Sequence, residues 1–190
     1  MKTTSHFLGL EMEPEIFSDI FVEIYNYLKE NNIENIVEMQ NPLSPHITLY
    51  YFEKEISQEN MQNIQENIKK LDVSKEIFLM GIDYFYRNNN RFICYFTIKT
   101  EIPLERYRNI FHKKYNRVEI SDNSLVFSPH ITFLRILNNN IFERHRESLE
   151  KIIFENINNI KNKNIFSGKI FLYRVNSKFP GEIQLKYILE

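Results

Sequence analysis

One pentapeptide, Ser-Pro-His-Ile-Thr, occurs twice in the chain, at residues 44–48 and 128–132. Histidine exchanges protons near neutral pH, and threonine offers a neutral hydroxyl donor. Cleavage of a phosphodiester needs a base for the nucleophile and an acid for the leaving oxygen. It also needs hydrogen-bond donors for the phosphoryl oxygens. The two copies together would supply all of these groups without a metal ion.

The pattern within each copy predicts the direction of these side chains. Alternate residues of a strand project to the same face, so His46 and Thr48 would point one way and Ile47 the other. The same rule pairs His130 with Thr132. Proline before each histidine presets an extended backbone. Two such strands facing each other would line a cleft, and we predict that these two histidines and two threonines are catalytic.

The repeated pentapeptide also allows a purely structural origin or a metal site. A duplication that records only the common ancestry of two half-sheets would preserve glycine, proline and apolar positions, but it would not require histidine. Metal binding is the second alternative, although zinc sites usually combine a short ligand pair with a third ligand. Glu53 and Glu55 follow the first copy, and no matching acids follow the second. We therefore expect neither a metal nor a cofactor.

The periodicity of apolar residues predicts an α+β fold in which helices alternate with antiparallel hairpins. The predicted helices are 15–30, 58–71, 103–115 and 141–160. The predicted strands are 6–12, 46–52, 76–86, 91–99, 126–136, 165–175 and 182–189. The length of 190 residues favours a single domain, 1–190, with a core of its own.

Bulk composition limits the kinds of partner. A net charge of -1 does not indicate a surface for long duplex nucleic acid, whereas a few local cations suffice for a small nucleotide. The single cysteine, Cys94, lies in an apolar run and is predicted to be a buried hydrophobe rather than a nucleophile. Residues 1–17 indicate neither a signal peptide nor a membrane span. We expect a cytoplasmic monomer without a membrane partner.

At the two motifs the sequence resembles the 2H phosphoesterase superfamily, which includes the bacterial RNA 2′,5′-ligases and cyclic phosphodiesterases. The signature of that family is a pair of His-x-Thr/Ser motifs on opposing strands. The second copy also resembles the family in the arginine that follows it, Arg135. The resemblance implies a bilobal fold with an internal pseudo-twofold duplication, in which two antiparallel sheets with outer helices surround a central cleft. It implies that the two histidines are acid and base and that the threonines hold the phosphate.

Five further residues are predicted to bind substrate. Tyr50 shares the face of the first histidine in a regular strand, where it would stack on a base. Arg135 has the opposite parity from the second histidine, so only a twist or a bulge would return it to the cleft. The other three fall in the C-terminal hairpin, near where the cleft of the family would lie: Tyr173, Arg174 and Ser177.

The resemblance implies metal-independent hydrolysis of 2′-linked nucleotide phosphodiesters. These are 2′,5′-linked oligoadenylates, cyclic dinucleotides such as 2′,3′-cyclic GMP-AMP, or 2′,3′-cyclic phosphates. The partner would be a small nucleotide or a short RNA end with a 2′-linked phosphate. Abundant asparagine, isoleucine and lysine are typical of AT-rich genomes, such as those of bacteria, phages and viruses. Because related enzymes of phages and viruses cleave 2′,5′-linked signalling nucleotides, the resemblance implies immune evasion as one candidate role. Two alternatives stay open: RNA-end repair by a cyclic phosphodiesterase or 2′,5′ RNA ligase, and a module that sequesters a nucleotide without cleaving it.

Overall fold

The helices and strands follow the periodicity of the sequence. The computed structural model describes residues 4–52, 56–115, 127–176 and 183–188. Within these ranges the α-helices are α1 (Pro14–Glu30), α2 (Gln58–Ile68), α3 (Leu104–Tyr115) and α4 (Asn139–Ile160), and a short 3-10 helix spans Glu34–Ile36. The strands are β1 (Thr4–Met12), β2 (Val37–Met39), β3 (His46–Phe52), β4 (Ile77–Arg87), β5 (Asn90–Thr100), β6 (His130–Ile136), β7 (Phe166–Asn176) and β8 (Ile183–Ile188). Every predicted helix and strand is present, whereas β2 was not predicted.

Local capping groups set where the helices begin. Pro14 lies in the first turn of α1, where its missing N–H would have no partner in any case. The side chain of Ser57 caps α2 by accepting a hydrogen bond from the Asn60 N–H. Asn138 caps α4 in the same way by accepting from the Ile141 N–H. Because of this cap, α4 begins before its predicted first residue.

The described strands form one sheet with the order β4-β5-β6-β3-β1-β7-β8, and β2 pairs with β6 beside this path. The two strands that carry the repeated pentapeptide, β3 and β6, lie next to each other at the centre and run antiparallel, with Ile47 paired to Ile131. The fold is α+β, as predicted. The expected pair of separate sheets is replaced by one sheet, because this contact joins the half-sheet β3-β1-β7-β8 to the half-sheet β6-β5-β4.

A local pseudo-twofold axis passes through the centre of the sheet. Ile47 and Ile131 occupy the same position of the pentapeptide, and β1 flanks β3 as β5 flanks β6. Both isoleucines are at most 1% exposed and belong to a core to which all four helices contribute. The side chains that alternate with them therefore project to the opposite face of the sheet, which we call the motif face.

Candidate active site

The two pentapeptides bring their polar side chains together on the motif face. Ile47 of β3 pairs with Ile131 of β6. Because the strands are antiparallel, the residues on either side of this pair also face each other: His46 lies opposite Thr132, and Thr48 lies opposite His130. All four side chains are half-buried. Each histidine therefore has a threonine hydroxyl from the other copy of the motif as its cross-strand neighbour. The structure brings all four predicted catalytic residues into one site.

A backbone carbonyl within each motif anchors the imidazole. The Nδ1 atom of His46 lies 2.8 Å from the carbonyl oxygen of Ser44, and Nδ1 of His130 lies 2.7 Å from that of Ser128. A carbonyl oxygen only accepts, so each Nδ1 carries the hydrogen and donates it. The neutral ring then keeps its lone pair on Nε2, which is the form a general base requires. The Ser-Pro lead-in thus selects the tautomer as well as the start of the strand.

A pair of aromatic rings supports each histidine. Phe7 of β1 and Tyr173 of β7 stack on each other at 4.7 Å, and their centroids lie 4.8 and 5.2 Å from the ring of His46.

The second histidine has the equivalent support from the other half-sheet. Phe85 of β4 and Tyr95 of β5 stack at 4.3 Å, and their centroids lie 4.8 and 5.0 Å from the ring of His130. Each imidazole is therefore fixed by an apolar wall on one side and by its carbonyl anchor on the other. These contacts set the orientation of both rings and cover part of each ring from solvent.

The surroundings lower the pKa of both histidines below the ordinary value of 6.5. Burial is the largest cause for His46; the hydrogen bond to Ser44 opposes it, and the charge of His130 lowers the pKa further. Burial likewise lowers the pKa of His130 against the opposing bond to Ser128. Both rings are therefore neutral at pH 7 in the free protein. Because the two imidazolium charges repel, the pair accepts a first proton more readily than a second.

A β-bulge interrupts each motif strand at the equivalent position. The β1–β3 register skips Leu49, and the β5–β6 register skips Phe133. Each of these is the third residue after the histidine of its motif. A bulge turns two successive side chains to the same side of the sheet, so the faces exchange for the residues that follow. Two sequence predictions depend on this exchange.

The bulge in β3 removes Tyr50 from the predicted site. Its ring packs against Phe52 at 5.0 Å and against Phe111 and His112 of α3 at 6.4 and 6.3 Å. These contacts lie on the helix side of the sheet. The prediction that Tyr50 lines the cleft assumed regular alternation from His46, and the structure corrects it.

The same exchange brings Tyr51 and Arg135 to the motif face. Tyr51 is 60% exposed, and its ring lies 5.5 Å from Phe7, the ring that contacts the first histidine. Arg135 occupies the equivalent position after the second histidine and faces Ile93 of β5. Its Nε atom is buried without a hydrogen-bond partner within the described ranges. The bulge thus returns the predicted Arg135 to the motif face and adds Tyr51, which is not among the predicted substrate-binding residues.

A signal for both bulges is present in the sequence. Leu49 and Phe52 are core residues three positions apart, and Phe133 and Leu134 are adjacent core residues. Neither spacing fits the strict alternation of a regular strand. A bulge at each of these positions would have predicted that Tyr51 and Arg135 lie on the same face as the histidines.

No protein-family model and no curated protein matches the sequence. Solved structures do match its backbone. Usb1 of Kluyveromyces marxianus is 14% identical with a TM-score of 0.52, covering 90% of this chain and 96% of that chain. The same protein with uridine monophosphate is 12% identical with a TM-score of 0.51, covering 92% and 97%. TT0787 of Thermus thermophilus is 13% identical with a TM-score of 0.55, covering 100% and 98%.

These neighbours are 2H phosphoesterase folds, and the match extends over nearly all of both chains. The chain has the 2H phosphoesterase fold. The resemblance that the two motifs indicate is thereby confirmed at the level of the fold. At such low identity the 2H fold fixes the arrangement of the strands, while the chemistry depends on the residues of this chain.

The three substrate-binding residues predicted in the C-terminal hairpin have different outcomes in the structure. Tyr173 reaches the site, but it is fully buried behind His46, so it positions the ring instead of touching a substrate. Burial also raises the pKa of Tyr173, so the phenol stays neutral. Arg174 follows Tyr173 in the strand and pairs with His6, on the face away from the histidines. The prediction that Arg174 contacts substrate is corrected for that reason, and Ser177 lies outside the described residues.

Among the residues that the structure describes, no three or more histidine, cysteine, aspartate or glutamate side chains are grouped to hold a metal ion. None of the described helices is both long and apolar enough to cross a membrane. Cys94 is buried, and burial raises the pKa of its thiol to about 12, so it remains protonated and unreactive.

Proposed function

We propose that the protein is a metal-independent phosphodiesterase that hydrolyses 2′-linked nucleotide phosphodiesters with His46 and His130 as its acid and base. The observation that carries the proposal is the anchoring of both imidazoles. Each Nδ1 is fixed on a backbone carbonyl, so each Nε2 is available for proton transfer. A histidine with a purely structural role would not require a second histidine, anchored in the same way, at the symmetry-related position of the sheet.

The proposed reaction uses the two histidines in opposite protonation states. The neutral histidine takes a proton from the attacking water as the new P–O bond forms. The protonated histidine gives its proton to the ribose oxygen as the old P–O bond breaks, and solvent then restores both rings. Thr48 and Thr132 donate hydrogen bonds to the non-bridging oxygens, which carry the negative charge of the transition state. The pseudo-twofold axis makes either histidine competent in either role.

The depressed pKa values support this assignment. A neutral histidine is ready to act as the base at pH 7. The phosphodiester anion would raise the pKa of the imidazoles beside it, because it stabilises a positive charge. Repulsion between the rings then favours a single proton on the pair, which is the state that acid/base catalysis requires.

The residues after the bulges break the symmetry and would orient the substrate. Tyr51 offers an exposed aromatic ring on the His46 side, suited to stacking on a base. Arg135 lies on the motif face on the His130 side, and its guanidinium group is suited to a phosphate or the edge of a base. We propose that the base of one nucleotide lies on Tyr51 while the phosphate sits between the histidines. This arrangement would select which histidine acts as the base.

A hydrolysis screen in EDTA tests the proposed function. The substrates are 2′,3′-cyclic AMP, a 2′,5′-linked adenylate trimer, 2′,3′-cyclic GMP-AMP and an adenylate trimer with only 3′,5′ linkages, each with wild-type protein and His130→Ala. We expect cleavage of 2′-linked substrates that is lost in the variant and absent for the 3′,5′ control. Binding of these nucleotides without turnover by the wild type would instead indicate a sequestering module.

Processing of short RNA ends is the second candidate. Its support is the fold match to Usb1, whose structure has been solved with uridine monophosphate. A short RNA that ends in a 2′,3′-cyclic phosphate is added to the screen, and preference for this substrate would indicate RNA-end processing, with the ligase activity as its reverse direction. Preference for the 2′,5′-linked trimer or the cyclic dinucleotide would indicate removal of a signalling nucleotide.

A further inference from the structure

The β4–β5 hairpin extends the motif face beyond the second histidine. Phe85 of β4 contacts His130, so its side chain lies on the motif face. The register between β4 and β5 shifts next to Phe85, but the extra residue is Phe92 of β5. The side chains of β4 therefore keep their regular alternation after Phe85. Arg87 therefore projects to the same face as Phe85, about 7 Å farther along the strand.

Contacts on the other side of the hairpin confirm this assignment of faces. Arg91 lies over the rings of Tyr84 and Tyr86, at 4.9 and 5.6 Å, and bonds to Glu143 of α4 at 2.7 Å. These residues therefore lie on the helix side of the sheet. Tyr84 and Tyr86 alternate with Phe85 and Arg87, which leaves the latter pair on the motif face.

Four residues form a continuous surface next to the second histidine, which we call the hairpin platform: Arg87, Phe92, Ile93 and Arg135. The guanidinium of Arg87 lies over the ring of Phe92, 5.7 Å from its centroid. Ile93 is the cross-strand partner of both Phe85 and Arg135, so the platform adjoins the residues that contact His130. Its members are half-buried except for Arg87, which is exposed.

The arginines of the platform differ from those on the helix side. Arg91 and Arg146 are held by Glu143 and Glu150, at distances from 2.7 to 3.1 Å. Within the described ranges no ion pair involves Arg87. Arginine beside aromatic and apolar side chains is the kind of surface that binds single-stranded nucleic acid, through stacking and phosphate contacts. The net charge of -1 means that any such attraction is local.

We propose that the hairpin platform binds the nucleotide beyond the cleaved phosphodiester on the His130 side, so that the preferred substrate is a linear oligonucleotide longer than a dinucleotide. The inference rests on the proposed function and narrows its substrate class. A cyclic mononucleotide has no nucleotide to place on the platform, and a closed cyclic dinucleotide cannot extend along it. A linear 2′,5′-linked oligomer longer than a dinucleotide has a further nucleotide to place on the platform.

Binding measured by fluorescence anisotropy tests the proposal without requiring turnover. The probes are 2′,5′-linked adenylate dimers and tetramers that carry a fluorophore, and every protein carries His46→Asn to prevent cleavage. Arg87→Ala is compared with Arg144→Ala, which removes the same charge from an exposed position on α4. We expect the tetramer to bind roughly tenfold more tightly than the dimer, because one of its two additional bases stacks on the platform.

Arg87→Ala should bring the affinity of the tetramer close to that of the dimer, and Arg144→Ala should change neither. The slope of log Kd for the tetramer against log salt should also fall by about 0.7 in Arg87→Ala, as expected for one lost phosphate contact to a single strand. The proposal would be overturned if the dimer and the tetramer bound with equal affinity, or if Arg87→Ala left the affinity of the tetramer unchanged. Since the hydrolysis screen measures turnover of short substrates, the proposed function would survive that result.

Discussion

Gly9 of β1 lies beside the aromatic pair that supports His46, and replacing it by alanine tests that support. A Cβ atom at this position would lie 2.9 Å from Cε2 of Tyr173, 3.3 Å from Cε2 of Phe7 and 3.2 Å from the carbonyl oxygen of Ile47. Carbon atoms pack best at about 3.5–4.0 Å, so the Tyr173 ring would have to move by about 0.5–1 Å.

The displaced ring would press on its described neighbours. Tyr173 is fully buried, stacks on Phe7 at 4.7 Å and contacts His46 at 5.2 Å, so its displacement would move the imidazole. Overpacking of this kind destabilises a protein by about 1–3 kcal/mol. A misplacement on the order of 1 Å at a catalytic group lowers the rate about 100-fold. We expect Gly9→Ala to lower both Tm and kcat/KM, with the larger relative loss in kcat/KM.

The assay compares kcat/KM for the 2′,5′-linked trimer and Tm by calorimetry. Gly81→Ala is the matched control, because its new Cβ would meet its nearest neighbours at 3.7 Å, an ordinary contact. In the background of Tyr173→Leu, which removes the obstructing ring atom, Gly9→Ala should cause a smaller further loss. If Gly9→Ala keeps the wild-type kcat/KM and Tm, the reasoning that the aromatic pair positions His46 is refuted.

Further predictions concern charge, stacking and metal independence. His130→Gln should raise the pKa of His46 in an NMR titration, because it removes a repelling positive charge; an unchanged or lower value would contradict their coupling. Tyr51→Ala should raise KM about tenfold or more by loss of stacking, while Tyr50→Ala should mainly lower Tm; the reverse pattern would contradict the bulge in β3. Arg135→Ala should lower kcat/KM about tenfold or more by loss of a charge-assisted bond, with full activity as the opposing result. EDTA should leave wild-type turnover unchanged; loss that a divalent ion restores would contradict the metal-free mechanism.

The sequence predicts the central strands well because their signals are local. The repeated pentapeptide combines a proline that presets extended backbone with alternation of polar and apolar residues, so the common face of His46 and Thr48 follows from geometry. The helices follow in the same way from apolar spacing and capping side chains such as Ser57. These features depend on residues near in sequence.

The predictions that were wrong depend on contacts between distant segments. A bulge is defined by the neighbouring strand, so the positions of Tyr50 and Tyr51 depend on where β1 pairs with β3. Arg174 was assigned by nearness to the cleft in sequence, but its parity relative to Tyr173 turns it away. The short strand β2 has three residues and no periodicity of its own, and its pairing with β6 defines it.

The joining of the half-sheets was also inaccessible from the sequence. It depends on the pairing of Ile47 with Ile131, which lie far apart in the chain. Their identical pentapeptides indicate that the two positions are structurally equivalent, but they do not predict that the two residues are in contact. That contact sets each histidine opposite the threonine of the other copy. The resemblance of the motifs implied opposing strands, and the structure adds the register that relates them.

The most direct test of the account is the turnover of a 2′,5′-linked adenylate trimer in EDTA by four proteins: wild type, His46→Ala, His130→Ala and the double variant. Groups that act as one catalytic unit are strongly non-additive. The account predicts that each single variant loses nearly all activity and that the double variant lies within about tenfold of either. Turnover near the wild-type rate in either single variant would contradict the claim that the two histidines form the acid/base pair.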